Sequence, residues 1–362
     1  VQVSIIGGGI IGLSCALELA QVGLEVRIFE RAEFGREASW AGGGILWPLY
    51  PWRYATPVHA LARWSAMRYP RLCAELTAQT GIDPQWTRSG LLMFDQEVQD
   101  DAWAWQRMQD EAITQLDAPA LGQLEPMLAD QPRIALHFPQ VAQVRNPRML
   151  QAMLARLRQL GVELHPHEGL RQWSVKGDRI AGFTTNRAIY DAEGPIVMTS
   201  GAWSGNLLQD LSPPSISVRP VRGQMLLLQA RPSFLRHILL NQGHYAIPRR
   251  DGLIVFGSTL EDTGFDKSTS DSARLALLEA AYQIHPALAE LPVLRHWAGL
   301  RPHAAGGIPL ICRHPRFEGL YVNAGHYRNG LLMAPASARL LADLMLDRAP
   351  LVDPRPYQLP AL

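Results

Sequence analysis

The chain has 362 residues, 47% of them hydrophobic, and 34 basic against 33 acidic side chains give it a formal net charge of +1. This length supplies a substantial core and exceeds one average domain, so two consecutive or interleaved domains are expected. Balanced charge without a run of like sign argues against nucleic acid or an anionic membrane surface as partner and leaves small molecules.

Residues 3–6 form a short apolar, β-rich run, followed by the glycine run GGGIIG at 7–12. Apolar residues then recur at helical spacing over 13–21, with Gly23 as a stop, and LEVRIFER at 24–31 reads as a second strand. Strand, glycine turn, helix and strand make the βαβ unit that opens a doubly wound sheet. Residues 37–57 are rich in Gly, Ala, Trp and Pro and read as a long ordered loop of the kind that carries function. Helices are expected over 58–80 and 97–116, with a strand at TRSGLLMF (87–94) between them. A helix running into a strand follows over 143–167, then a hairpin at 175–185 and the apolar strand PIVMTSG at 195–201, which returns to the first domain. Segments 218–229, 243–250 and 252–260 predict a mostly antiparallel sheet outside it. A helix over 272–288 and a last strand and helix over 320–346 close the chain.

Cys15, Cys73 and Cys312 cannot all pair and lack zinc-ligand spacing, so neither a disulfide scaffold nor a metal site is expected. A cytoplasmic protein without a transmembrane segment is the expectation, since the hydrophobic opening is interrupted by glycines and has no basic leader.

Gly7, Gly9 and Gly12 form G-x-G-x-x-G between the expected strand and helix. They permit a tight turn, close approach to a pyrophosphate and close helix packing, and the helix N-terminus favours the negative charge. Glu30 ends the second strand 18 residues after Gly12, where a carboxylate can accept from ribose hydroxyls. This spacing predicts a dinucleotide site without separating FAD from NAD.

The segments SWAGGGIL (39–46), TSGAWS (199–204), WAGLRP (297–302) and GHYRNGLLMAPA (325–336), in that order, resemble the D-amino acid oxidase family of flavoproteins, and within it the bacterial glycine oxidase branch associated with thiamine biosynthesis. The resemblance spans nearly the whole chain. It implies an α/β fold with a Rossmann-like FAD-binding domain (1–80, 140–210 and 308–362) interleaved with an α+β substrate-binding domain (81–139 and 211–307) on a mostly antiparallel sheet. It further implies noncovalent FAD, because Cys312 lies beyond the position where a neighbouring branch attaches its flavin.

The cofactor residues expected from fingerprint and resemblance are Gly7, Gly9, Ile10, Ile11, Gly12, Glu30, Arg31, Ser39, Gly43, Gly44, Ile45, Leu46, Leu170, Ser200, Gly201, Trp203, Arg301, His326, Tyr327, Arg328, Asn329, Gly330, Leu331 and Leu332. A glycine-rich turn opening a helix at Gly330 offers unpaired N–H groups and a positive dipole end, suited to negative charge on a reduced flavin. The resemblance gives Arg301 and Tyr245 the substrate carboxylate, Arg328 a backbone contact to substrate or flavin, and Leu260 the pocket wall, while the loop SWAGGGILWPLYPW departs from the glycine oxidase pattern and brings Trp47 to the pocket. An arginine suits a carboxylate because its planar, permanent cation offers parallel donors.

The activity implied is oxidative deamination of glycine, small D-amino acids or amines, by hydride transfer to flavin N5 with molecular oxygen reduced to hydrogen peroxide. Three alternatives stand beside it: a dehydrogenase passing electrons to a quinone, a D-amino acid oxidase for larger substrates, and a silent flavin-binding module. Homo-oligomerisation is left open.

Overall fold

The computed structural model describes residues 2–109, 111–131, 133–211 and 216–359. Residues 1, 212–215 and 360–362, which fall within the expected domain segments, lie outside the described residues.

The opening βαβ unit forms as expected. Strand Gln2–Ile6 pairs in parallel with Glu25–Phe29, and helix Ile10–Gln21 runs between them. Glu163–His165 extends this sheet beyond Glu25–Phe29, and Ile196–Met198 and Leu320–Ala324 extend it on the other side, all in parallel. Leu310–Arg313 closes that edge antiparallel, giving six strands. Side chains alternate across the sheet, as strand geometry requires. Val3, Ile5 and Ile28 face a core with helices Ile10–Gln21, Thr56–Thr80, Asn146–Gln159 and Gly330–Met345. Ile6 and Phe29 face the opposite core, closed by the three-stranded sheet Leu170–Lys176, Arg179–Thr185 and Ile189–Asp191.

The second large sheet has eight strands in the order Val293–Ala304, Val218–Gln229, Leu253–Gly257, His244–Pro248, Ile238–Asn241, Leu91–Met93, Ala135–Phe138 and Thr114–Leu116. It is antiparallel except where Ile238–Asn241 runs parallel to Leu91–Met93. Helix Asp271–Ile284 covers one face by burying Leu277, Ala281 and Ile284 against Leu226, Leu228 and Phe256.

Two local expectations are corrected, and one strand lies where none was expected. The helix expected over 97–116 covers Gln99–Gln109, and Thr114–Leu116 is instead taken up as an edge strand beside Ala135–Phe138. The loop expected over 37–57 contains a helical turn at Ala38–Ala41. WAGLRP lies within the twelve-residue strand Val293–Ala304, which lacks clean inside–outside alternation and therefore gave no period-two signal. That strand pairs along its length with Val218–Gln229 and carries Arg301 to the space between the two large sheets.

Candidate active site

A cavity of about 580 Å³ runs from the Gly7–Gly9 turn to Tyr245 and Arg301. At its first end the turn is held from three sides. Gly7 N–H donates to Phe29 O at 2.8 Å, Thr199 Oγ1 donates to Gly7 O at 2.8 Å, and Ser200 Oγ donates to Ile6 O at 2.8 Å. Gly7 has φ 117°, and a Cβ on it would lie 2.5 Å from Thr199 O. A Cβ on Gly12 would lie 2.0 Å from Gly7 O. Gly12 therefore acts from beneath the turn and does not line the cavity.

Glu30 lines the cavity with its carboxylate already placed, Oε2 accepting from Gly8 N–H at 2.8 Å and Oε1 from Ala32 N–H at 3.0 Å. Burial raises its pKa, and these two donors partly offset that rise. Ser39 Oγ accepts from Ile10 N–H at 2.8 Å, the first residue of helix Ile10–Gln21, and Asn146 Nδ2 donates to Ser39 O at 2.8 Å. Asn146 belongs to the same wall, with its Oδ1 buried and without a hydrogen-bond partner among the described residues. The Arg31 guanidinium lies 3.5 Å above the Trp203 ring.

Of the remaining expected cofactor residues, Gly9, Ile10, Ile11, Gly43, Gly44, Ile45, Leu170, Ser200, Gly201 and the whole run His326–Leu332 line the cavity. Leu46 does not; it is buried in the helix-side core with Val144 and Val58. His326 contributes backbone, since its ring is buried with Nε2 3.0 Å from Ser337 Oγ. Burial pushes its pKa down to about 3, so the ring is neutral at ordinary pH. Helix Gly330–Met345 starts at the cavity wall and presents its N-terminal turn there, where unpaired donors and the helix dipole favour negative charge.

At the far end, Arg301 is suspended among neutral groups. Its Nη1 donates to Arg222 O and Thr259 O, both at 3.2 Å, and Nη2 donates to Ser258 Oγ at 2.6 Å. Three hydrogen bonds to protein oxygens thereby fix the guanidinium, and the Tyr245 hydroxyl is a further hydrogen-bonding neighbour. Among the described residues, no carboxylate pairs with it. Burial pulls its pKa down from the usual arginine range, and the nearby Arg328 adds to that. A cation so placed calls for an anion from outside the protein. Tyr245 lines the cavity next to it, its hydroxyl donating to Ser258 Oγ at 3.2 Å. Arg328 and Trp47 also line the cavity.

Leu260 does not belong to this wall. It is 60% exposed in the turn after strand Leu253–Gly257, and the cavity is lined instead by Ile45, Leu49 and Met225.

Gly223 was not anticipated. A Cβ there would fall 2.2 Å from Arg301 Nη1 and 2.4 Å from Arg301 Cζ, so the guanidinium lies flat over the glycine. We expect Gly223→Ala to retain fold and flavin colour, because the far end of a side chain can move aside, while the KM for carboxylated substrates rises on the order of tenfold or more through misplacement of the fork. Steady-state kinetics beside a melting curve checks this, and an unchanged KM refutes it. Asn146 was missed as well. Its only sequence signal is an Asn-Pro pair at a helix start, which says nothing about a cavity.

The glycine cradle, the oriented Glu30 carboxylate and the helix N-terminus at Gly330 fit a flavin dinucleotide. Cys15, Cys73 and Cys312 are buried and free, and none lines the cavity, so no cysteine is placed to tether it. Among the described residues no cluster of metal-ligating side chains occurs, and no helix is long and apolar enough to cross a membrane.

Residues 2–344 match the family described as FAD dependent oxidoreductase, DAO. The chain is 46% identical over 357 residues to glycine oxidase of Pseudomonas aeruginosa, covering 98% of both chains. It is 42% identical over 357 residues to glycine oxidase of Pseudomonas putida, covering 98% of this chain and 97% of that one. The crystal structure of glycine oxidase from Geobacillus kaustophilus superposes with a TM-score of 0.90 at 29% identity, covering 99% of this chain and 98% of that one. The family match over residues 2–344 and the 46% identity over nearly the whole chain, on a fold with a dinucleotide cradle, make this protein a member of the DAO family of FAD-dependent oxidoreductases.

Proposed function

We propose that this FAD-dependent amino acid oxidase deaminates glycine or another small amino acid or amine, with Arg301 as the anchor of the substrate carboxylate. The observation that carries the reading is the Arg301 guanidinium, a cation in the cavity wall held by neutral oxygens and with no carboxylate partner among the described residues. Tyr245 completes the anion site and Arg328 closes it from the flavin side, while Trp47, Ile45 and Met225 limit substrate size. Residues 1–80, 140–210 and 308–362 then act as the FAD-binding domain, and 81–139 and 211–307 as the substrate-binding domain. FAD, when bound, supplies the electron acceptor, taking hydride from the substrate α-carbon at N5 and passing the electrons to oxygen as hydrogen peroxide.

The protein's own part is orientation. Among the described residues, the cavity-lining groups beside Arg301 and Tyr245 include no carboxylate, and the one imidazole lining the cavity, His326, turns its ring to Ser337. The substrate must therefore arrive with a neutral amine or lose its proton to solvent. We expect kcat/KM to rise with pH until the substrate ammonium has titrated, and the inflection to move when a substrate of different amine pKa is used. An inflection that stays in place across substrates would assign the titration to the enzyme instead.

The activity itself is tested by mixing the flavoprotein anaerobically with glycine, sarcosine and a panel of D-amino acids, then admitting air. Bleaching followed by peroxide supports the reading. A flavin that none of them bleaches overturns it, and bleaching without peroxide on reoxidation points to another electron acceptor.

A further inference from the structure

Ser258 follows strand Leu253–Gly257, is 9% exposed and does not line the cavity. Its hydroxyl nevertheless touches both groups assigned to the substrate carboxylate, accepting from Arg301 Nη2 at 2.6 Å and from the Tyr245 hydroxyl at 3.2 Å. A guanidinium can only donate, so the first bond fixes Ser258 Oγ as an acceptor toward Arg301. The second joins two hydroxyls and can reverse. If Tyr245 turns its proton toward an anion at Arg301, its oxygen faces Ser258 Oγ lone pair to lone pair unless Ser258 donates, and the serine proton is free to do so.

The turn carrying Ser258 is itself clamped. Thr259 O accepts from Arg301 Nη1 at 3.2 Å, Thr259 Oγ1 accepts from Gln224 N–H at 2.8 Å, and the same hydroxyl donates to the Glu261 carboxylate. Glu261 also accepts from Arg222 Nη2 at 2.6 Å and Gln224 Nε2 at 2.9 Å. Burial, which raises the Glu261 pKa, is outweighed by these donors, and the carboxyl is held below its usual range.

We propose that Ser258 is a positioning residue for the substrate carboxylate: its one hydroxyl sets the spacing of Arg301 and Tyr245 and supplies the proton that lets Tyr245 turn its own to the ligand. This rests on the reading of Arg301 as the carboxylate anchor. The test uses the holoenzyme, with glycine turnover and with acetate as a carboxylate probe followed through the flavin absorbance. Ser258→Ala is expected to raise the glycine KM and the acetate Kd about tenfold, the order of one hydrogen bond to a charged group, with kcat and flavin affinity nearly unchanged. Ser258→Thr, which restores the hydroxyl, is expected to return both constants to within about twofold of the parent. The effects of Ser258→Ala and Tyr245→Phe on acetate affinity should combine to less than their sum. Three results overturn the proposal while leaving Arg301 in place: wild-type constants in Ser258→Ala, equal losses in the Thr and Ala variants, or additive effects with Tyr245→Phe. Acetate binding that survives Arg301→Ala unchanged would instead remove the anchor on which the proposal depends.

Discussion

Arg301→Ala is expected to remain yellow and folded while its kcat/KM for glycine falls by about 30-fold to several thousand-fold, the equivalent of roughly 2–5 kcal/mol for one half of a desolvated charge pair. The size of the loss follows from what the substitution leaves behind. Ser258 Oγ, Thr259 O and Arg222 O lose their donor together, and the substrate carboxylate enters a partly dehydrated site with no countercharge. The flavin should be spared, because these partners of Arg301 belong to the antiparallel sheet and its turn rather than to the glycine cradle. An amine without a carboxylate should lose far less than glycine does, and comparing kcat/KM for the two separates anchoring from general damage. Equal activity of variant and parent toward glycine would remove Arg301 from the site.

Gly12→Ala is expected to have its main effect at the opposite end, as loss of bound flavin and of stability. The added Cβ would sit 2.0 Å from Gly7 O and 2.8 Å from Thr199 Oγ1. Gly7 cannot easily retreat, since its N–H is bonded to Phe29 and its carbonyl to Thr199. Overpacking of this kind costs about 1–3 kcal/mol, and here the strain falls on the turn that approaches the pyrophosphate. FAD affinity should drop by about 5- to 150-fold if that cost is felt in binding alone. Flavin content after purification and a flavin titration of the apoprotein measure it. A fully yellow variant with the parent's melting temperature would show that the helix can slide away from the turn.

The two ends of the cavity were not equally legible. Around Gly7–Glu30 the strand, glycine turn, helix and terminal acid are contiguous in sequence and specify their own geometry, although Thr199 and Ser200 brace the turn from more than 190 residues away. At the other end, the arginine type carried no information in a chain with this many arginines, and Arg301 stood out only through the resemblance of the segment around it.

The sequence by itself determined the βαβ opening, the cradle for a dinucleotide and, through resemblance, the oxidase family and most of the cavity lining. Only the tertiary structure decided that Leu260 faces solvent, that Leu46 belongs to the core, that Asn146 joins the cavity wall, and that Gly223 makes the bed for Arg301. The physical reason is separation along the chain. Arg301 meets Ser258 across 43 residues and Arg222 across 79, so the space a glycine leaves or the lone pair a serine offers has meaning only once two strands have been brought side by side.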